Sequence, residues 1–270
     1  MNSISVPGLS IAGMGVSALV SVCAVVLLFI YAKRTLGGSI KSFLIGIATF
    51  ILFSLVLESI VHNLVYATDA GKKIWADKWL YALYGGAAAA IFEETGRIFA
   101  AKVFLRRRLD TPEAFMYGVG HGGIEALIVG SVTQISNLSL AALINAGGAE
   151  KLLATLSGAQ RDAALEQLRA LCQTDSAAFF LSGFERVMAL ALQISLSLIM
   201  FAGLRQRRAH LVVLCYVLHF AVDAALVLIN GSFGLYAAEA FCIVFTLLTA
   251  FLAFKISPPL RRGEEEAQAE

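Results

Sequence analysis

The chain has 270 residues, of which 59% are hydrophobic and 15% charged, with a mean hydropathy of +0.78. A soluble domain of this length carries roughly a quarter charged residues, so the composition excludes an ordinary soluble globular protein and predicts an integral membrane protein. The net charge of +2 marks no nucleic-acid partner, and Cys23, Cys172, Cys215 and Cys242 lack the C-x-x-C spacing of a thiolate zinc site or redox motif.

Residues 1–15 contain no Lys or Arg, so the first apolar stretch reads as a retained span with a translocated N-terminus, not as a cleaved signal peptide. A span needs about 20 mostly apolar residues. Seven stretches qualify in chain order: about 10–32, 42–66, 79–104, 114–136, 178–203, 209–230 and 234–254. Loop charges orient them. Lys33, Arg34, Lys41, Lys102, Arg106, Arg107, Arg108, Arg205, Arg207, Arg208, Lys255, Arg261 and Arg262 fall on one side. Only Lys72, Lys73, Lys78, Lys151, Arg161 and Arg169 fall on the other. The excess marks the cytoplasmic face. The predicted fold is therefore an all-α polytopic transmembrane helix bundle of about seven spans in the plasma membrane, N-terminus outside and C-terminus cytoplasmic. Residues 1–262 form a single transmembrane domain. Its external loop, about 137–177, contains an amphipathic helix over 150–173 that suits the membrane surface. The acidic tail, 263–270, reads as disordered.

Ionisable residues inside the spans are the chain's main anomaly. Glu58, Glu93, Glu94, Glu125, Glu185, Asp223 and Glu239 are joined by His62, His121, His219, Arg97 and Arg186. A charge at mid-bilayer costs about 2.5–3.5 kcal/mol, whereas a Leu, Ile, Phe or Val returns about 0.3–0.6. Glu93, Glu94 and Arg97 on one span would cost roughly 7–10 kcal/mol if unpaired, so they must pair, bind an ion or line a wet cavity. Spacing suggests the pairs. Arg97 lies four residues after Glu93 and three after Glu94, while His121/Glu125, His219/Asp223 and Glu58/His62 are each i, i+4. A single pair, such as Glu58/His62, reads as a local bridge that eases insertion; the three spans that carry Arg97, His121 and His219 point to a shared site. Glu185 and Arg186 are adjacent and point about 100° apart on a helix, so each is expected to reach a neighbouring helix instead of the other. Glu239 near a span end is expected to snorkel. Gly85, Gly86, Gly118, Gly120, Gly122 and Gly123 leave room for close helix packing or for a ligand.

The ordered set Glu93-Glu94-Thr95-Gly96-Arg97, Phe115 to His121-Gly122-Gly123-Ile124-Glu125, Glu185-Arg186 and His219-Phe220-Ala221-Val222-Asp223 resembles the YhfC-type membrane peptidases. These are similar in turn to the superfamily of CAAX prenyl endopeptidases and bacteriocin-processing proteins. The chain departs from the superfamily pattern in having two residues, not three, between the Glu pair and Arg97, and Phe115 six residues before His121. The resemblance implies that Glu93 activates water, that Glu94 and Arg97 support it, and that His121, His219 and Asp223 complete the site. Glu125, Glu185 and Arg186 match positions of the narrower group without an assigned role. Two schemes stay open. In one, His121 and His219 hold a zinc ion with a carboxylate, Asp223 or Glu94, and Glu93 takes the proton from the bound water. In the other, no metal is used, and His219 with Asp223 holds the oxyanion. The implied substrate is a membrane-embedded or membrane-tethered peptide. The alternative function is a proton- or ion-coupled transporter built on the same buried residues.

Overall fold

The structure is a computed structural model that describes residues 5–106 and 108–258; the predicted acidic tail lies outside the described residues. Every regular element among them is helical. Helix α1 (Gly8–Tyr31) runs into a π-helical turn, Ala32–Leu36. Next, α2 (Ile40–Phe50) continues through a π-helical stretch, Ile51–Glu58, into α3 (Ser59–Tyr66). Then come α4 (Asp69–Ala76) and α5 (Lys78–Val103). Helix α6 (Thr111–Glu125) continues through π-helical Ala126–Val132 into α7 (Thr133–Asn145). The chain ends with α8 (Ala149–Ala154), α9 (Gly158–Gln173), α10 (Ser176–Arg205), α11 (Ala209–Phe233) and α12 (Leu235–Ile256).

Six continuous helices are long and apolar enough to cross a bilayer: Gly8–Leu36, Ile40–Tyr66, Thr111–Asn145, Ser176–Arg205, Ala209–Phe233 and Leu235–Ile256. They coincide with six of the seven predicted spans, and the chain is a multi-pass membrane protein. The remaining predicted span corresponds to α5. At 26 residues it is long enough, but Glu93, Glu94 and Arg97 dilute its apolar content. The fourth predicted span is longer than its apolar core suggested, because the π-helical turns carry the helix on to Asn145. The single amphipathic helix expected over 150–173 is two helices. Thr155 Oγ1 bonds back to the Leu152 carbonyl at 2.7 Å, and Gly158 has φ +54°, so the chain breaks between them.

The chain packs as two compact units, 1–24 with 126–187, and 25–125 with 188–270. In the first, Val6, Met14, Ala141, Ile144, Leu168, Leu171 and Phe179 form an apolar cluster. Asn145 bridges the Val6 backbone, accepting from its N–H at 2.8 Å and donating to its carbonyl at 3.1 Å. The second unit holds most of the predicted site residues. Its helices meet through glycines. A Cβ on Gly46 of α2 would lie 2.3 Å from the Tyr117 carbonyl, and one on Gly120 of α6 would lie 2.1 Å from the Phe43 carbonyl. The backbones of α2 and α6 therefore touch. On the other side of α6, Gly118 and Gly122 press on α10, where added Cβ atoms would lie 2.7 Å from Ile194 Cα and from Gln193 Cβ. A Cβ on Gly86 of α5 would lie 3.0 Å from the Phe220 carbonyl of α11. The small residues of this sequence thus act as helix contacts.

The start of α6 is pinned as well. Asp110 Oδ1 accepts from the Glu113 N–H at 3.2 Å, and Pro112 occupies the first turn, where its missing N–H costs nothing. The buried Glu113 carboxylate accepts from the Ser39 and Ser42 hydroxyls, each at 2.6 Å, at the head of α2. The α2–α6 contact makes a clear prediction. Gly120→Ala should lower stability in detergent by about 1–3 kcal/mol, because a backbone carbonyl cannot yield to the new methyl group. Gly85→Ala, where a Cβ meets nothing within 4 Å, should be neutral or mildly stabilising; thermal unfolding of both variants measures the difference.

Candidate active site

Four helices of the second unit, α5, α6, α10 and α11, bring the buried ionisable residues together. On α5, Arg97 is fully buried, and its Nη1 donates to Glu94 Oε1 at 2.5 Å. Of the two partners that spacing offered Arg97, the structure selects Glu94. The same Glu94 oxygen pairs with His219 Nδ1 of α11 at 2.8 Å, which places a proton on that nitrogen because an ionised carboxylate only accepts. The other ring nitrogen of His219, Nε2, then faces Glu93 Oε2 at 3.8 Å and Asp223 Oδ2 at 3.5 Å. From α6, His121 Nε2 reaches Glu93 Oε2 at 2.9 Å. The Phe50 ring stands edge-on to the His121 ring, with centroids 5.3 Å apart.

Sequence spacing missed one member, Gln193 of α10. Its Oε1 accepts from Arg97 Nη2, and its Nε2 donates to Glu93 Oε2 and to Glu125 Oε2, each at 2.8 Å. A neutral amide in an apolar span attracts no notice as a charge. The only signal was its place as the one Gln within the α10 run Leu190–Met200, where a polar side chain must find partners.

Several predicted pairs are rearranged. His121 turns to Glu93 and Glu125 to Gln193, because α5 and α10 lie closer to these side chains than a same-helix partner allows. His219 and Asp223 do approach each other. Glu185 belongs to the first unit. The expectation that it and Arg186 would not pair is overturned: the long Arg186 side chain folds back and donates to Glu185 Oε1. Glu239 is buried instead of snorkelling. Glu58 and His62 pair as spaced, at 3.2 Å, and His62 Nδ1 also meets the Tyr84 hydroxyl at 2.9 Å.

The site is closed on most sides. Glu94, Arg97 and His121 have no exposed surface, Glu93 keeps 7% and His219 3%, whereas the Asp223 side chain is 35% exposed. Asp223 is thus the most exposed member of the group. Behind the motif, Thr49 and Phe53 press on Gly96. They form part of an apolar groove of about 670 Å³ lined by Leu44, Ile45, Leu52, Phe99 and Phe104, with Lys41 at one edge.

His121, His219, Glu93 and Asp223 offer imidazole nitrogens and carboxylate oxygens, which are zinc-ligand types; His121 Nε2 and Glu93 Oε2 are 2.9 Å apart, and His219 Nε2 and Asp223 Oδ2 are 3.5 Å apart. His219 also has the arrangement of a metal-binding imidazole, one nitrogen held by a carboxylate and the other turned into the site. His121 Nδ1 and Glu94 Oε2 are buried with no hydrogen-bond partner among the described residues. Among the described residues, no group of three or more His, Cys, Asp or Glu side chains is placed so that it could hold a metal ion as it stands.

The family described as YhfC intramembrane metalloprotease matches residues 17–245. The uncharacterized membrane protein YhfC of Bacillus subtilis (strain 168) is 34% identical over 218 residues, covering 80% of this chain and 84% of that protein. No solved structure matches.

The buried ion pair makes a prediction that is independent of any reaction. Arg97→Met leaves Glu94 without its cation and should cost about 3–5 kcal/mol in stability. The double variant Glu94→Gln/Arg97→Met removes both charges and should recover much of that loss. Thermal unfolding in detergent measures both.

Proposed function

The chain belongs to the YhfC intramembrane metalloprotease family, and from that premise we propose that it is an intramembrane endopeptidase hydrolysing a peptide bond in a membrane-embedded or membrane-tethered protein. The observation that carries this reading is the environment of Glu93. Its carboxylate meets His121 at 2.9 Å and Gln193 at 2.8 Å, stands 3.8 Å from His219, and lies in a nearly closed pocket. Peptide hydrolysis needs a base that takes a proton from water and later hands it to the leaving amine, and Glu93 is the group placed to do both. Glu94 and Arg97 neutralise each other beside it, so this pair adds no net charge next to the base. His121, His219 and Asp223 are the residues that would hold a zinc ion, which would lower the pKa of a bound water to near 7 and polarise the scissile carbonyl. His219 is fixed for its part by Glu94 at Nδ1. The apolar groove behind Gly96 supports entry of an apolar substrate segment from the bilayer, and the charge distribution of the loops supports a cytoplasmic C-terminus.

In proteoliposomes carrying a membrane-tethered peptide, Glu93→Gln should lower the rate of cleavage by about 100-fold or more. Cleavage by this variant at the unmodified rate would sink the reading; proton-coupled flux without cleavage would replace it with ion-coupled transport. Metal analysis of the purified protein should find a stoichiometric ion that is lost in both His121→Ala and His219→Ala. Equal metal content in all three proteins would remove the zinc assignment.

A further inference from the structure

We propose that Gln193 is a positioning residue for Glu93, that Glu125 is the anchor through which it acts, and that together they leave Glu93 Oε1 as the oxygen that meets water. This inference rests on the endopeptidase reading above. A primary amide has one acceptor oxygen and two N–H donors. In Gln193 all are committed: Oε1 accepts from Arg97 Nη2, and Nε2 donates to Glu93 Oε2 and to Glu125 Oε2, both at 2.8 Å. The arrangement admits one orientation only. A flipped amide would turn its oxygen toward two carboxylates and its N–H groups toward a guanidinium.

The consequence falls on Glu93. Its Oε2 accepts from Gln193 Nε2 and lies 2.9 Å from His121 Nε2, so this one oxygen carries both contacts and the amide bond fixes the rotation of the carboxylate. Oε1 carries neither bond and is the atom left to take a proton. Glu125 uses the second N–H and prevents the amide from swinging away. The neutrality of Gln193 is essential. A Glu at that position would bring a third carboxylate against Glu93 and Glu125, and an apolar residue would leave two carboxylates and Arg97 short of partners. The packing is built for this side chain. Gly122 of α6 lies against its stem, and a Cβ there would come within 2.7 Å of Gln193 Cβ and 3.1 Å of Cγ. Gly122 immediately follows His121, so one turn of α6 both supplies the imidazole and admits the amide.

The role assigned to Glu125 is to accept a hydrogen bond, not to carry a charge, and this separates the proposal from a merely structural one. The full-length protein would be assayed in proteoliposomes with the membrane-tethered peptide, measuring kcat and KM separately. Gln193→Leu should lower kcat 10- to 100-fold with KM within about twofold, because substrate binding does not depend on the rotation of the base. Gln193→Asn, one methylene short, should show the same split while keeping a polar amide in the core. Glu125→Gln still offers an oxygen to Gln193 and should lose far less kcat than Glu125→Leu. If Gln193→Leu and Gln193→Asn both keep the wild-type kcat, or if Glu125→Gln is as damaging as Glu125→Leu, the positioning role is wrong. Loss of cleavage in Glu93→Gln alongside normal Gln193 variants would discard this inference alone, whereas full cleavage by Glu93→Gln would discard the endopeptidase reading beneath it.

Discussion

Arg97 has no exposed surface in a chain that is 59% hydrophobic, so its charge must be answered entirely by the protein. Glu94 supplies the counter-charge and Gln193 the remaining acceptor. Both partners are then committed to the site. Glu94 holds His219 through the same oxygen that accepts from Arg97, and Gln193 holds Glu93 and Glu125 through its amide nitrogen. A buried ion pair of this kind is weak evidence for stability, since its desolvation offsets much of its attraction. What it contributes here is orientation: one guanidinium sets the geometry of residues on three other helices.

Such a network demands that helices approach closely. Hydrogen bonds of 2.8–2.9 Å between α5, α6, α10 and α11 are possible only where backbones come together without intervening side chains. Gly46 and Gly120 bring α2 to α6, Gly118 and Gly122 bring α6 to α10, and Gly86 brings α5 to α11. Helix α6 therefore carries glycines on two faces and His121 between them. The polar site and the glycine contacts are two aspects of one packing arrangement, because long side chains at the crossings would separate the donors from their acceptors.

Hydrolysis within an apolar bundle sets two opposing requirements. Charges must be shielded to be strong, yet water must arrive. The gradient of exposure from His121 through Glu93 to Asp223 meets both, with the paired charges sealed and the Asp223 edge open. The Glu58–His62–Tyr84 chain extends polar character from the π-helical stretch Ile51–Glu58 to α3 and α5 in the same unit.

By itself the sequence determined that this is a helical membrane protein and which residues are anomalous in it. Hydropathy and segment length are additive along the chain, so six spans are readable as runs of apolar residues. The cost of burying charge singles out Glu93, Glu94, Arg97, His121, His219 and Asp223 without any coordinates. It left α5 ambiguous for the same reason, because the charges that mark the site also erase its apolar signature. Tertiary structure decided the pairings between helices. Same-helix spacing correctly suggested Glu94 with Arg97 and His219 with Asp223, where partner and residue share a face. It misassigned His121, Glu125, Glu185 and Glu239, whose surroundings depend on how the chain packs. Gln193 was invisible for a related reason: a neutral amide gains its importance only when three helices bring a guanidinium and two carboxylates within reach of its three hydrogen-bonding groups, and no spacing along one chain encodes that meeting.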